Sequence, residues 1–185
     1  NTPPVLTLNA PSNNAVFLLG ETVTFDATVS DAEDSPTAMT LLWESNVDGQ
    51  ISTQGADTTG LATFNIDTLT AGTHTITVTL TDSNGGVDTE TISLIVNTPP
   101  TLSGVSITSS DGSDFYNTST LTCSATANDP DETVTPNFEW TVGTQTYTGS
   151  TLDLSPTGAL PSDTVTCTAS VTDSNGGSDS DVASV

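Results

Sequence analysis

The hexapeptide TDSNGG stands at residues 81–86 and again at 172–177, and it is one of four matches that recur in the same order in both halves of the chain. NTPP opens the sequence at Asn1 and returns at Asn97; DATVSDAED (26–34) aligns with SATANDPDE (124–132); LLWES around Trp43 aligns with NFEWT around Trp140. A shared order of lead-in, acidic turn, tryptophan and double-glycine turn means two tandem repeats, placed at 1–96 and 97–185. The closing GGSDSDVASV matches GGVDTETISL and stops just before another NTPP would fall due, the pattern expected of an excerpt from a longer array.

Whatever one repeat folds into, the other must fold into as well, and the residue pattern is that of strands. In THTITVTLTD, His74, Ile76, Val78 and Leu80 fall on one face while Thr73, Thr75, Thr77 and Thr79 fall on the other. VTFDATV does the same with Val23, Phe25, Ala27 and Val29. Nothing comparable recurs at helical spacing. Short strands separated by Gly, Pro, Asn and Asp turns predict an all-β sandwich in each half.

The two cysteines are too few for a zinc site or a cysteine-dense scaffold, which leaves one disulfide or two free thiols. Alignment sets Cys123 opposite Phe25 and Cys167 opposite Ile76, both inward on long strands, with Trp140 between them in sequence. This is the Cys…Trp…Cys arrangement of an immunoglobulin-like sandwich, in which a disulfide joins the sheets beside a buried tryptophan. Such a Cys123–Cys167 bond implies an oxidising compartment. In the first repeat a Phe25–Ile76 packing contact is expected in its place. His74 and Val165 stand where antibody domains carry a tyrosine, so the expectation is the broad sandwich class.

Charge limits the partners. There are 23 acidic residues, one histidine and no lysine or arginine, for a net charge of -23. Like charges without partners repel within a compact fold, which makes a divalent cation a natural counter-ion. Phosphate recognition needs Lys or Arg, so nucleic acid is excluded as a partner, and anionic membrane surfaces are excluded with it. No run approaches the roughly 20 apolar residues of a membrane span.

The stretches GETVTFDATVSDAED…LLWES and LTAGTHTITVTLTDSNGGVDTETISLIVNTPP resemble polycystic-kidney-disease (PKD) type and cadherin-like repeats of prokaryotic surface proteins. The first repeat departs from the WDFGDG of PKD repeats and reads WESNVDG. The resemblance implies an extracellular spacer or adhesion module that binds calcium where consecutive domains meet. By that likeness the oxygens come from Asn1, Asp31, Glu33 and Asp82 in the first repeat and from Asn97, Asp129, Asp131 and Asp173 in the second.

Sandwich geometry leads to the same residues. The loop after the strand at 23–29, the TDSNGG turn and the NTPP lead-in belong to one end of such a domain. Calcium takes about six to eight oxygens from carboxylates, carbonyls and water. Asp31, Glu33, Asp34, Asp82, Asn84 and Asn1 are candidates for one sphere; Asp129, Asp131, Glu132, Asp173, Asn175 and Asn97 are candidates for another. The plainer alternative is that NGG closes a hairpin and the preceding Asp caps it by accepting backbone N–H groups. Asp88, Asp179 and Asp181 read as solvated strand positions.

No catalytic constellation is visible. His74 lies on an inward face and reads as a core residue, as do Trp43 and Trp140; a glycosidase would need a cleft with aromatic platforms. The expected function is a non-enzymatic, calcium-stiffened spacer of a larger extracellular surface protein, with further repeats as its neighbours. Alternatives are a module that binds a surface glycan or protein, for which Phe115, Tyr116 and Tyr147 are the available aromatics, and a subunit of a filament or surface layer. Asn117 opens an Asn-Thr-Ser glycosylation sequon.

Overall fold

A computed structural model describes residues 1–185, and the chain divides into two compact units, Asn1–Asn97 and Thr98–Val185. Both are all-β sandwiches without an α-helix; one 3-10 turn occurs at Pro36–Ala38. No helix is long and apolar enough to cross a membrane.

Unit 1 holds β1 (Val5–Ala10), β2 (Ala15–Leu18), β3 (Val23–Ser30), β4 (Thr40–Ser45), β5 (Gly49–Ser52), β6 (Leu61–Ile66), β7 (Gly72–Thr81) and β8 (Val87–Asn97). One sheet has the order β1-β3-β6 and the other β2-β8-β7-β4-β5. Unit 2 holds β9 (Thr101–Ser109), β10 (Thr120–Asn128), β11 (Asn137–Val142), β12 (Gln145–Thr148), β13 (Thr151–Asp153), β14 (Val165–Thr172) and β15 (Ser178–Ser184). Its sheets run β13-β10-β9 and β12-β11-β14-β15. Asn97, expected to open the second repeat, is the last residue of β8 and is buried; its carbonyl accepts the Leu19 N–H at 2.8 Å.

The period-two faces point as the sequence requires. Phe25, Ala27, His74, Ile76, Val78 and Leu80 are all fully buried, whereas Thr73 and Thr75 face out. Between the sheets of unit 1, Phe25 stacks on Phe64 with centroids 5.1 Å apart, and Trp43 meets both rings edge-on at 5.9 and 5.0 Å. Ile76 is buried in the same cluster, but the ring opposite Phe25 belongs to Phe64, its register partner on β6. In unit 2 the disulfide Cys123–Cys167 ties β10 to β14, and Trp140 is the register partner of Cys167. Both indoles bond to a nearby carbonyl, Trp43 to Gln54 at 3.1 Å and Trp140 to Gly149 at 2.8 Å.

His74 is fully enclosed. Its Nε2 lies 2.8 Å from the Thr70 carbonyl, which can only accept, so Nε2 carries the proton and Nδ1 accepts from Ser45 Oγ at 2.8 Å. Ser45 Oγ in turn accepts the N–H groups of Val47 and Asp48. The histidine therefore fastens β7 to the end of β4, and no open face is left for chemistry.

Candidate functional site

The TDSNGG segments close the β7–β8 and β14–β15 hairpins. In each, the aspartate N–H donates to the carbonyl of the second glycine, from Asp82 to Gly86 at 3.0 Å and from Asp173 to Gly177 at 2.9 Å. The two glycines of the first copy have different reasons. Gly85 sits at φ 87°, where a side chain strains the backbone; at Gly86 a Cβ would collide with Asp82 Oδ2 and crowd Asn1 Nδ2.

That collision marks what the turn is built around. Asp82, 6% exposed, accepts the N–H groups of Asn84 (2.8 Å) and Gly86 (2.7 Å) on Oδ1 and the Asn1 side-chain amide (2.9 Å) on Oδ2. Asn84 Nδ2 donates to Asn1 Oδ1 at 3.0 Å. In the acidic turn, Asp31 Oδ1 accepts the N–H groups of Glu33 and Asp34, both at 2.7 Å. Glu33 takes the N–H and hydroxyl of Thr2, and Asp34 takes the N–H and hydroxyl of Ser83. Lead-in, acidic turn and hairpin are thus tied into one network at one end of unit 1.

Unit 2 repeats the network with its acids exchanged. Asp173 accepts the N–H groups of Asn175 (2.9 Å) and Gly177 (2.8 Å), and Asp129 Oδ1 accepts those of Asp131 (2.7 Å) and Glu132 (3.2 Å). The Thr98 N–H goes to Asp131 where that of Thr2 goes to Glu33; the Ser174 N–H goes to Glu132 where that of Ser83 goes to Asp34. Aspartate and glutamate swap places while the backbone donors stay the same. The shared element is therefore the N–H to be satisfied, and either acid serves.

Asp88 and Asp179, read from the strand alternation as solvated, have the same job. Asp88 accepts the Leu6 N–H at 2.8 Å and Asp179 accepts the Leu102 N–H at 2.7 Å, each tying the first strand of its unit to the last. Asp181 stays exposed and bonds only to the adjacent Val182 N–H. In a chain with no Lys or Arg, backbone dipoles take the place of salt bridges for these carboxylates. The effect shows in their ionisation. Asp82 is held below the usual carboxylate range, first by the Asn1 amide and then by the N–H groups of its own turn, against the opposing effect of burial. Asp57 is lowered chiefly by the Thr59 hydroxyl and the Leu61 N–H, and Asp153 by the Ser155 N–H.

This bonding bears on a metal. Calcium wants about six to eight oxygens, and no group of three or more His, Cys, Asp or Glu side chains is gathered here in a metal-binding cluster. Asn1 Oδ1 faces an amide donor. What each unit does hold is one orphaned atom at equivalent positions, since Asp31 Oδ2 and Asp129 Oδ2 are buried with no hydrogen-bond partner. The donor set fits a contact between a cation and one carboxylate in each acidic turn; it does not form a closed cage of protein oxygens.

The remaining sequence candidates lie elsewhere. Phe115 and Tyr116 are 45% and 54% exposed in unit 2, whereas Tyr147 is half-buried against the core. Asn117 is exposed in a turn, and Ser119 of its sequon is buried, donating to Asp111 and accepting the Tyr116 N–H.

Paired sheets, a core tryptophan and a hairpin-closing double glycine in each unit make the chain a tandem of two immunoglobulin-like β-sandwich modules. Residues 4–78 match the family described as Bacterial Ig domain. Halomucin of Haloquadratum walsbyi is 30% identical over 139 residues, which cover 72% of this chain and 1% of halomucin. Among solved structures, an I-band fragment of titin aligns over the whole chain and 65% of its own length, with a TM-score of 0.54 and 16% identity. The N-terminal eight Ig domains of Down Syndrome Cell Adhesion Molecule align over 98% of this chain and 27% of their own length, with a TM-score of 0.52 and 15% identity. At these identities the structural likeness bears on the fold.

Proposed function

We propose that the chain is a non-enzymatic structural module of a larger extracellular surface protein, in which tandem repeats of this kind serve as a spacer or stalk. The observation that carries this reading is the duplicated network at the lead-in end. Both units commit their acidic turn and hairpin to satisfying the same backbone N–H groups, which secures each module's shape. The likeness to a 1% portion of halomucin supports a setting among further repeats, and the disulfide supports an oxidising, extracellular one. Kinship with PKD-type and cadherin-like repeats belongs to the same reading, as does adhesion.

Calcium enters the proposal at the acidic turns. Asp31 in unit 1 and Asp129 in unit 2, with Glu33 and Asp34 or Asp131 and Glu132 beside them, would hold it. The ion supplies positive charge to a chain that has no lysine or arginine. Affinity in the 10⁻⁴ to 10⁻³ M range of extracellular modules, roughly, is expected for so open a donor set. A second reading, as a binding module, is favoured by the exposed Phe115 and Tyr116.

Pulling single chains between their ends tests the spacer reading. Two discrete unfolding events are expected, and the disulfide, which spans 44 residues, shortens the extension of unit 2 by roughly 150 Å until it is reduced. Smooth extension without discrete events would contradict a tension-bearing role.

A further inference from the structure

Asn117-Thr118-Ser119 is the one Asn-X-Ser/Thr triplet in the chain whose middle residue is not proline. Enzymes that attach sugar to an asparagine amide read this triplet as a unit, and the hydroxyl two residues on is part of what they recognise. The two ends of the triplet lie in opposite environments. Asn117 is exposed, whereas Ser119 is fully buried. The Ser119 hydroxyl donates to Asp111 Oδ2 at 2.6 Å and accepts the Tyr116 N–H at 2.9 Å. Its backbone is committed as well, the N–H to the Tyr116 carbonyl and the carbonyl to the Leu154 N–H, both at 3.0 Å.

Unit 1 makes the same turn without the triplet. Aligning Phe25 with Cys123 sets Leu18 on Tyr116, Leu19 on Asn117 and Glu21 on Ser119. The Glu21 N–H donates to the Leu18 carbonyl at 2.9 Å, and the Glu21 carboxylate accepts the Leu18 N–H at 2.9 Å. The turn therefore belongs to the fold, and freeing the Ser119 hydroxyl means opening it and parting Leu154 from the start of β10, which is a local unfolding. The exposure of Asn117 belongs to the fold too. Leu19 is 50% exposed although its N–H is bonded to the end of β8.

We propose that Asn117 is an N-glycosylation site that is filled only before unit 2 folds. The donor is a lipid-linked oligosaccharide phosphate. Asn117 Nδ2 attacks the anomeric carbon, the C–N bond forms as the anomeric C–O bond breaks, Nδ2 gives up one proton, and the phosphate leaves with the lipid. An unfolded segment presents amide and hydroxyl together; the folded one presents the amide and withholds the hydroxyl. A sugar already on Asn117 projects into solvent when the turn closes, so an early modification persists. β10, which carries Cys123, begins at the next residue after the triplet, so formation of the Cys123–Cys167 bond closes the window. Occupancy is thus a race between transfer and folding. The inference uses the extracellular setting proposed above, but its test supplies enzyme and donor and does not depend on that setting.

The test incubates the oxidised full chain with a purified oligosaccharyltransferase and its lipid-linked donor. Beside it stand two unfolded forms: the full chain carrying Cys123→Ala, Cys167→Ala and Trp140→Ala, which lacks the disulfide and the core ring of unit 2, and the peptide 110–125 released from the same protein. Mass spectrometry should find Asn117 modified in the unfolded forms at a rate at least roughly 100-fold above that in the oxidised chain, as for a site reached only by opening. Ser119→Ala in the unfolded full chain should abolish transfer. Equal rates on folded and unfolded forms overturn the gating, as does transfer that survives Ser119→Ala; no transfer to either unfolded form overturns the site.

Discussion

Units 1 and 2 build one fold around the same tryptophan and differ in how their sheets are joined. Unit 1 fills the space between them with Phe25, Phe64 and Trp43 in mutual contact. Unit 2 has Cys123 where unit 1 has Phe25, and opposite it Ser150, whose carbonyl accepts the Cys123 N–H at 2.8 Å, where unit 1 has Phe64. Two aromatic rings are exchanged for one covalent bond. Packing stabilises the folded state of unit 1 directly, whereas the disulfide acts largely by restricting the unfolded chain of unit 2.

The largest way to break this symmetry is to remove each device in turn. Replacing both cysteines by alanine should cost unit 2 about 4 kcal/mol, the chain-entropy value for a loop of 44 residues, and leave the melting of unit 1 in place. Phe64→Ala should cost unit 1 about 3 kcal/mol and be insensitive to reductant. Differential scanning calorimetry with and without reductant reads both. Equal sensitivity of the two units to reduction would contradict the division.

A smaller pair of effects tests what the units share. Asp88→Ala and Asp179→Ala each leave a first-strand N–H, of Leu6 or Leu102, without its acceptor. Each should cost its own unit about 1–2 kcal/mol in urea denaturation, since the two ties are equivalent. A large loss in one unit and none in the other would show that the ties are unequal.

Acid should act more gently. Asp57 and Asp82 have lowered pKa values in the folded unit 1, so their contribution is present above the unfolded carboxylate value near 4. It is lost as pH falls below that value and through the depressed one. Melting of unit 1 should fall by a few degrees over that window, and Asp82→Asn should flatten the fall. A pH-independent melting point between about 5 and 3 would count against this coupling.

Much of this was legible in the sequence because a strand reports its buried face at every second residue. Val23 to Val29 and His74 to Leu80 needed only that rule, and the duplication then placed Cys123 and Cys167 opposite buried apolar residues. The bonding of the acids was only partly legible. A sequence displays carboxylates but hides backbone N–H groups, so Asp82 read either as a metal ligand or as the cap of its turn, which it is, while Asp88 and Asp179 read as solvated although each meets a donor from distant backbone. Phe64 was missed as the partner of Phe25 because cross-strand register is set by the β3–β6 pairing. The Asp/Glu exchange between 33–34 and 131–132 was a further signal, since either acid can accept the same backbone N–H.

The account gives these acids to the backbone and leaves one buried oxygen per unit, on Asp31 and Asp129, for a cation. Scanning calorimetry at fixed ionic strength, with calcium titrated from zero to about 10 mM against an EDTA control, tests that most directly. The account predicts that calcium raises the melting of both units, and that Asp31→Asn abolishes the rise in unit 1 alone and Asp129→Asn that in unit 2 alone. Identical melting in calcium and in EDTA would contradict it.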